Sequence, residues 1–388
     1  MTESFTWFFM IFHREFRRGN IDAFQTLMGL SLAHFFGCYN PKQFADFLGI
    51  AHQRLYEQLK MFSLYSLKEM LLSFMVQQAI EQLKPLLVKS AATRSRAGIT
   101  LSVDNSVIDR LGGLLRCSYN WYSGRWKKVV NGQDLLGIVL TINGLVIPLH
   151  LLFCAKQGRA NTNKPDLLIA MLIRLKDAFS EHGIDLSAFP LTMDSWFASQ
   201  PLRERLHALG FYKIILSGKG NYTFTMGKEK QPASSWKKIL PLSKEAWGID
   251  VPALRVKANS PTFGKVTLLF FRKSATRSYY LIDFSRPFMR GAEIWHIWKQ
   301  HHAIESFWKI LKSILHIDAM QLPDQGLYVA LLIKVIAYLM ALRWRAHKAF
   351  SKLTLTQLMR KINREYDLQT LLFEHFHWPF LLTGETTS

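Results

Sequence analysis

Three acidic side chains stand where they could bind a metal ion. Asp104 ends the predicted strand in LSVDNS, and Asp194 ends another in LTMDSW. Glu305 lies in the middle of a predicted helix, beside an apolar face, and is the only acid between Glu293 and Asp318. Carboxylates held close together repel one another unless a cation lies between them. Because oxygen ligands suit Mg²⁺, which also takes phosphate oxygens, the set predicts a magnesium site that acts on phosphates.

Each of these acids also has an ordinary structural explanation. An aspartate after a strand is commonly a helix N-cap or a turn residue, and Glu305 could be a solvated residue at the border of an apolar face. Asp109, five residues after Asp104, is a second candidate for the first ligand. We rank Asp109 lower because the pattern places it beyond the strand.

The elements around these residues predict an α/β fold with a mixed sheet flanked by helices. In chain order they are strands at 99–104, 135–141 and 145–152, a helix at 165–182, a strand at 189–194, a helix at 199–209 and a strand at 211–217. Asn143-Gly144 marks the hairpin between the second and third strands. A meander followed by right-handed crossovers brings the first and fourth strands side by side, so we expect Asp104 and Asp194 to face one another.

Residues 218–289 interrupt this alternation with short, irregular strand patterns, which predicts a β-rich insertion. Two helical patterns follow, at 291–315 and 325–350. The insertion therefore separates the last core strand from the helix that carries Glu305.

The N-terminal segment 1–95 is helical in pattern, with apolar residues at three- and four-residue intervals. Within it, residues 41–60 have the spacing of a helix-turn-helix: Ala45 lets two helices approach, Gly49 makes the turn and Leu55 packs the second helix. This predicts DNA binding, with an ordinary helical hairpin as the alternative.

Two side chains of that second helix are candidates for reading DNA. Gln53 and Arg54 lie near its N-terminus, the part of a recognition helix that contacts base edges. Residues 89–98 are basic and small, which is typical of a linker to the next domain.

The composition favours an anionic partner. The chain has 49 Lys and Arg against 28 Asp and Glu, a net charge of +21, and 49% of its residues are hydrophobic, which excludes a disordered chain. Residues 203–312 alone hold 20 basic and 7 acidic residues. Nucleic acid is the first candidate and a membrane surface the second. The basic residues are not gathered on one amphipathic helix, so we favour DNA.

The sequence predicts a cytoplasmic protein. Three widely spaced cysteines supply neither a disulfide framework nor a zinc site. The N-terminal apolar run lacks the basic start and the cleavage site of a signal peptide. The segment 327–344 is apolar enough for a membrane span, but Lys334 lies at its centre and favours a buried helix.

The order of the three acids resembles the DDE transposases of bacterial insertion sequences. The strand with Asp104, the strand with Asp194 and the helix with Glu305 are most similar to the insertion sequence 4 group, which has an RNase H-like core and a β-rich insertion before its last helix. The resemblance covers about residues 98–350. It implies a catalytic domain there. The pattern of the residues themselves predicts a helical DNA-binding domain at 1–95 and a C-terminal helical tail at 351–388, which is either a dimer or synapsis element or a simple helix.

The helix with Glu305 carries part of that group's signature, Tyr-x2-Arg-x3-Glu-x6-Lys. Glu305 and Lys312 match it, whereas Trp298 replaces the tyrosine and His301 the arginine. At 100° per residue these four positions fall within about 60° of one helix face. By resemblance, Trp298, His301 and Lys312 contact DNA at the transposon end.

The resemblance also implies a mechanism. Asp104, Asp194 and Glu305 hold two Mg²⁺ ions, with Mn²⁺ as a substitute, for attack on DNA by water and then by a DNA 3′-hydroxyl. The expected activity is cut-and-paste transposition, and members of the group can pass through a DNA hairpin. The expected partners are transposon ends with terminal inverted repeats, target DNA and a second copy of the chain at synapsis.

Two other functions are open at the level of the sequence. One is a DNA-binding relative that has lost catalysis; the missing tyrosine and arginine leave room for it, whereas the intact acid triad and Lys312 argue against it. The other is an RNase H-like DNA nuclease that does not transfer strands.

Two tryptophans of the insertion, Trp236 and Trp247, are candidates for stacking on an unpaired base, with burial as the simpler explanation.

Overall fold

The structure is a computed structural model. It describes residues 2–15, 21–93, 98–109, 117–124, 126–155, 163–242, 249–274, 277–320, 322, 325–347 and 349–376. These residues belong to two compact units: Met1–Gln78, Val107–Asp134 and Trp308–Ser388 form the first, and Ala79–Ser106 and Leu135–Phe307 form the second. The predicted domains 1–95, 98–350 and 351–388 divide the chain at other points and stay a prediction.

The helices and strands follow the predicted order closely. The α-helices of the described residues are α1 (Thr2–Glu15), α2 (Ile21–Ala33), α3 (Pro41–Leu48), α4 (His52–Lys60), α5 (Leu64–Thr93), α6 (Lys164–Ser180), α7 (Gln200–Ala208), α8 (Ala233–Ile239), α9 (Gly291–Ser313), α10 (Gly326–Ala346), α11 (Leu355–Glu365) and α12 (Leu368–Phe376). The β-strands are β1 (Ile99–Asp109), β2 (Ser118–Ser123), β3 (Lys128–Ile142), β4 (Leu145–Phe153), β5 (Leu191–Met193), β6 (Ile214–Ser217), β7 (Thr223–Met226), β8 (Glu229–Pro232), β9 (Ala253–Ser260), β10 (Gly264–Ser274) and β11 (Arg277–Asp283).

Helices α3 and α4 of the first unit form the hairpin predicted at 41–60. Asn40 caps α3, its Oδ1 accepting from the Gln43 N–H at 2.9 Å. Gly49 ends α3 in the left-handed region, with φ of 70°, which glycine adopts without strain. Ala45 and Leu55 are fully buried between the helices, as the pattern requires.

Helix α10 is the interior helix of the first unit. Its length and composition would suit a membrane span, yet 89% of its most apolar window is buried inside the protein. Lys334 at its centre is fully buried; its Nζ donates to the Tyr39 carbonyl at 2.8 Å and contacts the ring of His34. Burial, reinforced by Lys334, holds the pKa of His34 well below its usual range. The central charge is thus bonded to polar groups within the unit.

The second unit is built on one mixed sheet. The strand order is β3-β1-β5-β6-β11-β10-β9-β7-β8, with β4 paired to β3. Strand β2 and the first half of β3, which pair antiparallel, belong to the first unit. Strands β1, β5 and β6 are parallel, whereas β3 and β4 form an antiparallel hairpin. The predicted α/β fold, a mixed sheet flanked by helices with a meander and two crossovers, is confirmed.

The β-rich insertion continues this sheet. Strand β11 pairs antiparallel with β6, β10 lies between β11 and β9, and β7 pairs with β9. The first half of α9 packs on the insertion, where Trp295 and Trp298 join a buried cluster with Leu269, Phe271 and Leu281.

Two boundaries differ from the sequence predictions. Strand β1 does not end at Asp104 but runs on to Asp109, so both aspartates belong to it. Gly132 on β3 allows this extension, because a Cβ there would approach the Ile108 carbonyl oxygen to 2.5 Å. Helix α5 continues to Thr93 through the first part of the predicted linker 89–98, and 94–97 lie outside the described residues.

Candidate active site

Asp104 and Asp194 directly follow the last paired residues of two neighbouring parallel strands. The pairing of β1 with β5 ends at Val103 opposite Met193. Asp104 continues β1, and Asp194 follows β5 with extended backbone, at φ −71° and ψ 160°. Because paired strands lie about 4.8 Å apart, these two carboxylates leave the sheet next to one another.

Hydrogen bonds orient both carboxylates. The Ser217 hydroxyl, at the end of β6, donates to Asp194 Oδ1 at 3.0 Å and accepts from the Ser195 N–H at 2.8 Å. Asp104 Oδ1 accepts from the Asn105 N–H at 2.7 Å. Asn105 does not close a turn, because β1 continues through it.

A buried polar network lies beside the two acids. Thr192 Oγ1 is 2.9 Å from Ser102 Oγ and 2.9 Å from His301 Nδ1, and it donates to the Leu101 carbonyl at 3.2 Å. Ser102 and Thr192 are fully buried, and His301 is 3% exposed. The network fixes helix α9 over strands β1 and β5. Sequence reasoning missed it, although the spacing of the polar residues offered a signal.

Glu305 lies on α9 one helical turn beyond His301. Its carboxylate is exposed and lies 3.2 Å from His302 Nδ1, on the preceding turn of the same helix. Its side chain is 64% exposed. Helix α9 packs, through His301, on the face of the sheet that Thr192 shares with Asp194, while the Glu305 carboxylate contacts its own helix.

The three acids do not form a compact metal-binding group. Among the residues that the structure describes, no three His, Cys, Asp or Glu side chains come together as a set of ligands. Asp104 and Asp194 nevertheless fit Mg²⁺ by donor type, since Mg²⁺ commonly binds one or two carboxylates, waters and substrate phosphates. The role of Glu305 as a further ligand stays a prediction.

The structure buries Trp298 and His301, and their expected DNA contacts stay a prediction. Trp298 is 6% exposed and stacks on the His301 ring at a centroid distance of 4.3 Å. Burial lowers the pKa of His301 to about 4, so its ring is neutral at pH 7. Trp298, His301 and Glu305 share one face of α9. That face is buried at Trp298 and His301 and exposed to solvent at Glu305. A neutral imidazole lacks the permanent charge and the bidentate donors with which an arginine binds phosphate.

Lys312 is half-buried and anchors the end of α9. Its Nζ donates to the Val107 carbonyl at 2.6 Å. A DNA phosphate would have to compete with this bond. The phosphate contact predicted for Lys312 stays a prediction.

The two candidate DNA-reading residues lie in the first turn of α4. Gln53 is exposed in the first turn of α4, and Arg54 is half-buried beside it. Their contacts with DNA stay a prediction. Trp236 is 5% exposed and donates its ring N–H to the Phe224 carbonyl at 3.1 Å, so it is a core residue, whereas Trp247 lies outside the described residues.

An exposed aromatic side chain beside the acids was not predicted. Trp196, two residues after Asp194, is 49% exposed, and Lys164 Nζ lies 4.7 Å from the centre of its ring. The rival ligand Asp109 accepts a hydrogen bond from the Trp126 ring N–H. Asp109 is thus engaged by an aromatic donor and has a structural role.

Comparisons with known proteins give one similarity of fold. No protein-family model matches the chain, and no curated protein matches it. Chains of solved structures do match, among them the cryo-EM structure of a piggyBac transposase synaptic complex with hairpin DNA. That alignment covers 89% of this chain and 70% of the other, with 14% sequence identity and a TM-score of 0.48. A likeness of this size carries no assignment of function.

Proposed function

We propose that the protein is a DDE transposase, which cleaves DNA at transposon ends and transfers the ends to target DNA. The observation that carries the proposal is the placement of Asp104 and Asp194 on adjoining parallel strands. Helix α9, which carries Glu305, packs on the same side of the sheet through the contact of His301 with Thr192. The insertion sequence 4-like assignment belongs to this proposal and rests on the sequence signature.

The side chains have separate tasks in this proposal. Asp104 and Asp194 would hold Mg²⁺, with Glu305 as a further ligand. The bound metal would stabilise the attacking and leaving oxygens of a phosphodiester. Ser217 holds the Asp194 carboxylate in one orientation through its 3.0 Å hydrogen bond. The extended, part-buried Asp104 is fixed by β1 itself.

The charge of the chain supports DNA as the substrate. Residues 203–312, which include the insertion and most of α9, contain 20 Lys and Arg against 7 Asp and Glu. Basic residues around acidic ligands suit a phosphodiester enzyme, because the rim binds the backbone while the acids bind metal. Transposon ends with inverted repeats, target DNA and a homodimer at synapsis are the proposed partners.

A DNA-binding relative without catalysis is the second candidate. The observation in its favour is the Glu305 carboxylate, which contacts His302 and not the two aspartates. The burial of Trp298 and His301 adds to it, since both leave the DNA-contacting signature incomplete. This reading retains DNA binding and predicts no cleavage.

Cleavage by acid-to-amide variants separates the two candidates. Purified protein is incubated with Mg²⁺ or Mn²⁺ and DNA that carries the sequences flanking the gene. We expect wild-type protein to cut at the ends and Asp104→Asn to be inactive while it still binds DNA. Asp177→Asn, which removes an exposed carboxylate on α6, is the matched control and is expected to cut normally. Binding without cleavage by wild-type protein would favour the non-catalytic relative, and cleavage without joining would favour the nuclease.

A further inference from the structure

A buried polar side chain precedes each of the three acids, by two residues on the strands and by four residues on the helix. Ser102 is two residues before Asp104 on β1. Thr192 is two residues before Asp194, and His301 is four residues before Glu305. A strand repeats its face every two residues, and a helix returns to nearly the same face after four.

Each of these residues therefore lies on nearly the same face of its strand or helix as the acid that follows it. Thr192 joins the three through its hydroxyl, at 2.9 Å from both Ser102 and His301. When that hydroxyl donates to the Leu101 carbonyl, its oxygen accepts from the Ser102 O–H and the His301 Nδ1–H. One oxygen atom thus links β1, β5 and α9.

The network is costly to disturb, because its members are removed from water. Ser102 and Thr192 are 0% exposed. Loss of the Thr192 hydroxyl would leave the hydroxyl of Ser102 and the ring nitrogen of His301 without this partner in a dry environment. Burial also keeps the His301 ring neutral, so the link is a neutral one and not an ion pair.

We propose that Thr192 is a positioning residue, whose hydroxyl sets the spacing of Asp104, Asp194 and Glu305 for binding a divalent cation. Thr192 acts through the elements that it joins and touches neither the metal nor DNA. The inference rests on the proposed function, since it assigns a purpose to the site described there.

Thr192→Val tests the proposal, because valine keeps the shape of threonine and lacks the hydroxyl. Thr192→Ser restores the hydroxyl. Thr267→Val is the matched control: it removes another fully buried threonine hydroxyl, on β10, away from the acids. Three quantities are measured for each variant: Mn²⁺ binding by the protein alone, followed by electron paramagnetic resonance of free Mn²⁺; metal-free binding of end DNA; and the DNA cleavage rate with Mg²⁺.

We expect Thr192→Val to bind Mn²⁺ about 10-fold more weakly and to cleave DNA about 10- to 100-fold more slowly, the size of effect that small misplacements produce. Its metal-free affinity for DNA should equal that of wild-type protein. Thr192→Ser should recover most of both losses, and Thr267→Val should show neither. Unchanged Mn²⁺ binding by a folded Thr192→Val protein overturns the proposal, as does an equal loss in Thr267→Val.

A second variant covers the case in which Thr192→Val does not fold. Ser102→Ala removes one hydroxyl of the network and keeps the bond between Thr192 and His301. A weaker Mn²⁺ affinity in Ser102→Ala supports the proposal, and an unchanged affinity overturns it. Failure of the proposed function is distinguishable, because wild-type protein would then neither bind Mn²⁺ through Asp104 nor cleave DNA. In that case, Asp104→Asn and wild-type protein would bind Mn²⁺ equally.

Discussion

His301 and Thr192 are joined by a 2.9 Å contact between Nδ1 and Oγ1, which directs the histidine into the sheet. The ring lies between the helix and the sheet and is 3% exposed. His301 therefore joins α9 to β5, and its phosphate contact stays a prediction.

The stability of the protein should depend on the protonation of His301. Its pKa is about 4 in the folded protein, against 6.5 for a free side chain. Between these pH values the unfolded chain binds a proton that the folded chain does not. Lowering the pH through this window therefore favours unfolding, by about 3 kcal/mol once the window is crossed. Below pH 4 both states are protonated, and the loss no longer grows.

Denaturant unfolding between pH 7.5 and 4 measures this effect. His34 and His207 also have lowered pKa values and add to the slope, so the comparison must be with His301→Asn, which cannot titrate. We expect a shallower slope for His301→Asn than for wild-type protein. His296→Asn, an exposed position on the same helix, is the control and should keep the wild-type slope. Identical slopes for all three proteins would contradict a buried neutral His301.

Trp298 should contribute to stability and not to DNA binding. The side chain is 6% exposed and belongs to the cluster beneath α9. Removal of a buried tryptophan side chain costs about 3–5 kcal/mol. We expect Trp298→Ala to lower the free energy of unfolding by this amount. Trp196→Ala, at a position 49% exposed, should lower it by less than about 1 kcal/mol. Equal free energies of unfolding for Trp298→Ala and Trp196→Ala would contradict the burial of Trp298.

Binding of DNA should weaken steeply with salt. A net charge of +21 favours contacts with several phosphates, each of which releases counterions. We expect the affinity of metal-free protein to fall by orders of magnitude between about 50 and 200 mM salt. Fluorescence anisotropy across this range measures the slope. A DNA affinity that does not change with salt would indicate that the positive charge does not contact DNA. A membrane surface would then again be a candidate partner.

The hairpin of α3 and α4 should determine sequence preference. Arg54→Ala, if the side chain reads a base, costs about 1–3 kcal/mol for the specific DNA end and little for unrelated DNA. Lys42→Ala removes an exposed charge from α3 and should weaken both DNAs alike. The ratio of specific to non-specific affinity is therefore the informative measurement. An unchanged ratio in Arg54→Ala and in Gln53→Ala would make α3 and α4 an ordinary helical hairpin.

The adjacency of Asp104 and Asp194 was predictable, because short, right-handed connections leave few strand orders for this sequence of elements. The end of β1 was not predictable from the pattern of residues 99–104. It depends on Gly132, a residue far along the chain that lets the partner strand approach. Local alternation carries no information on such a contact.

The burial of Trp298 and His301 was not predictable, for a different reason. A helical arc shows that residues share a face, but not where along the helix that face leaves the sheet. Here it is buried at His301 and exposed at Glu305. The buried network had a signal in the sequence, since Ser102 and Thr192 are hydroxyl residues on otherwise apolar strands, each two residues before an aspartate.

The most direct test of the central claim is the joining of a DNA end to new DNA. A labelled fragment that carries the flanking end sequence is incubated with a target plasmid, Mg²⁺ and either wild-type protein, Asp104→Asn, Asp194→Asn or Asp177→Asn. We predict a labelled plasmid product with wild-type protein and Asp177→Asn. Asp104→Asn and Asp194→Asn should form none, although both remain folded and bind the fragment. A product of normal yield with Asp104→Asn or Asp194→Asn would contradict the assignment of these two acids as the catalytic pair.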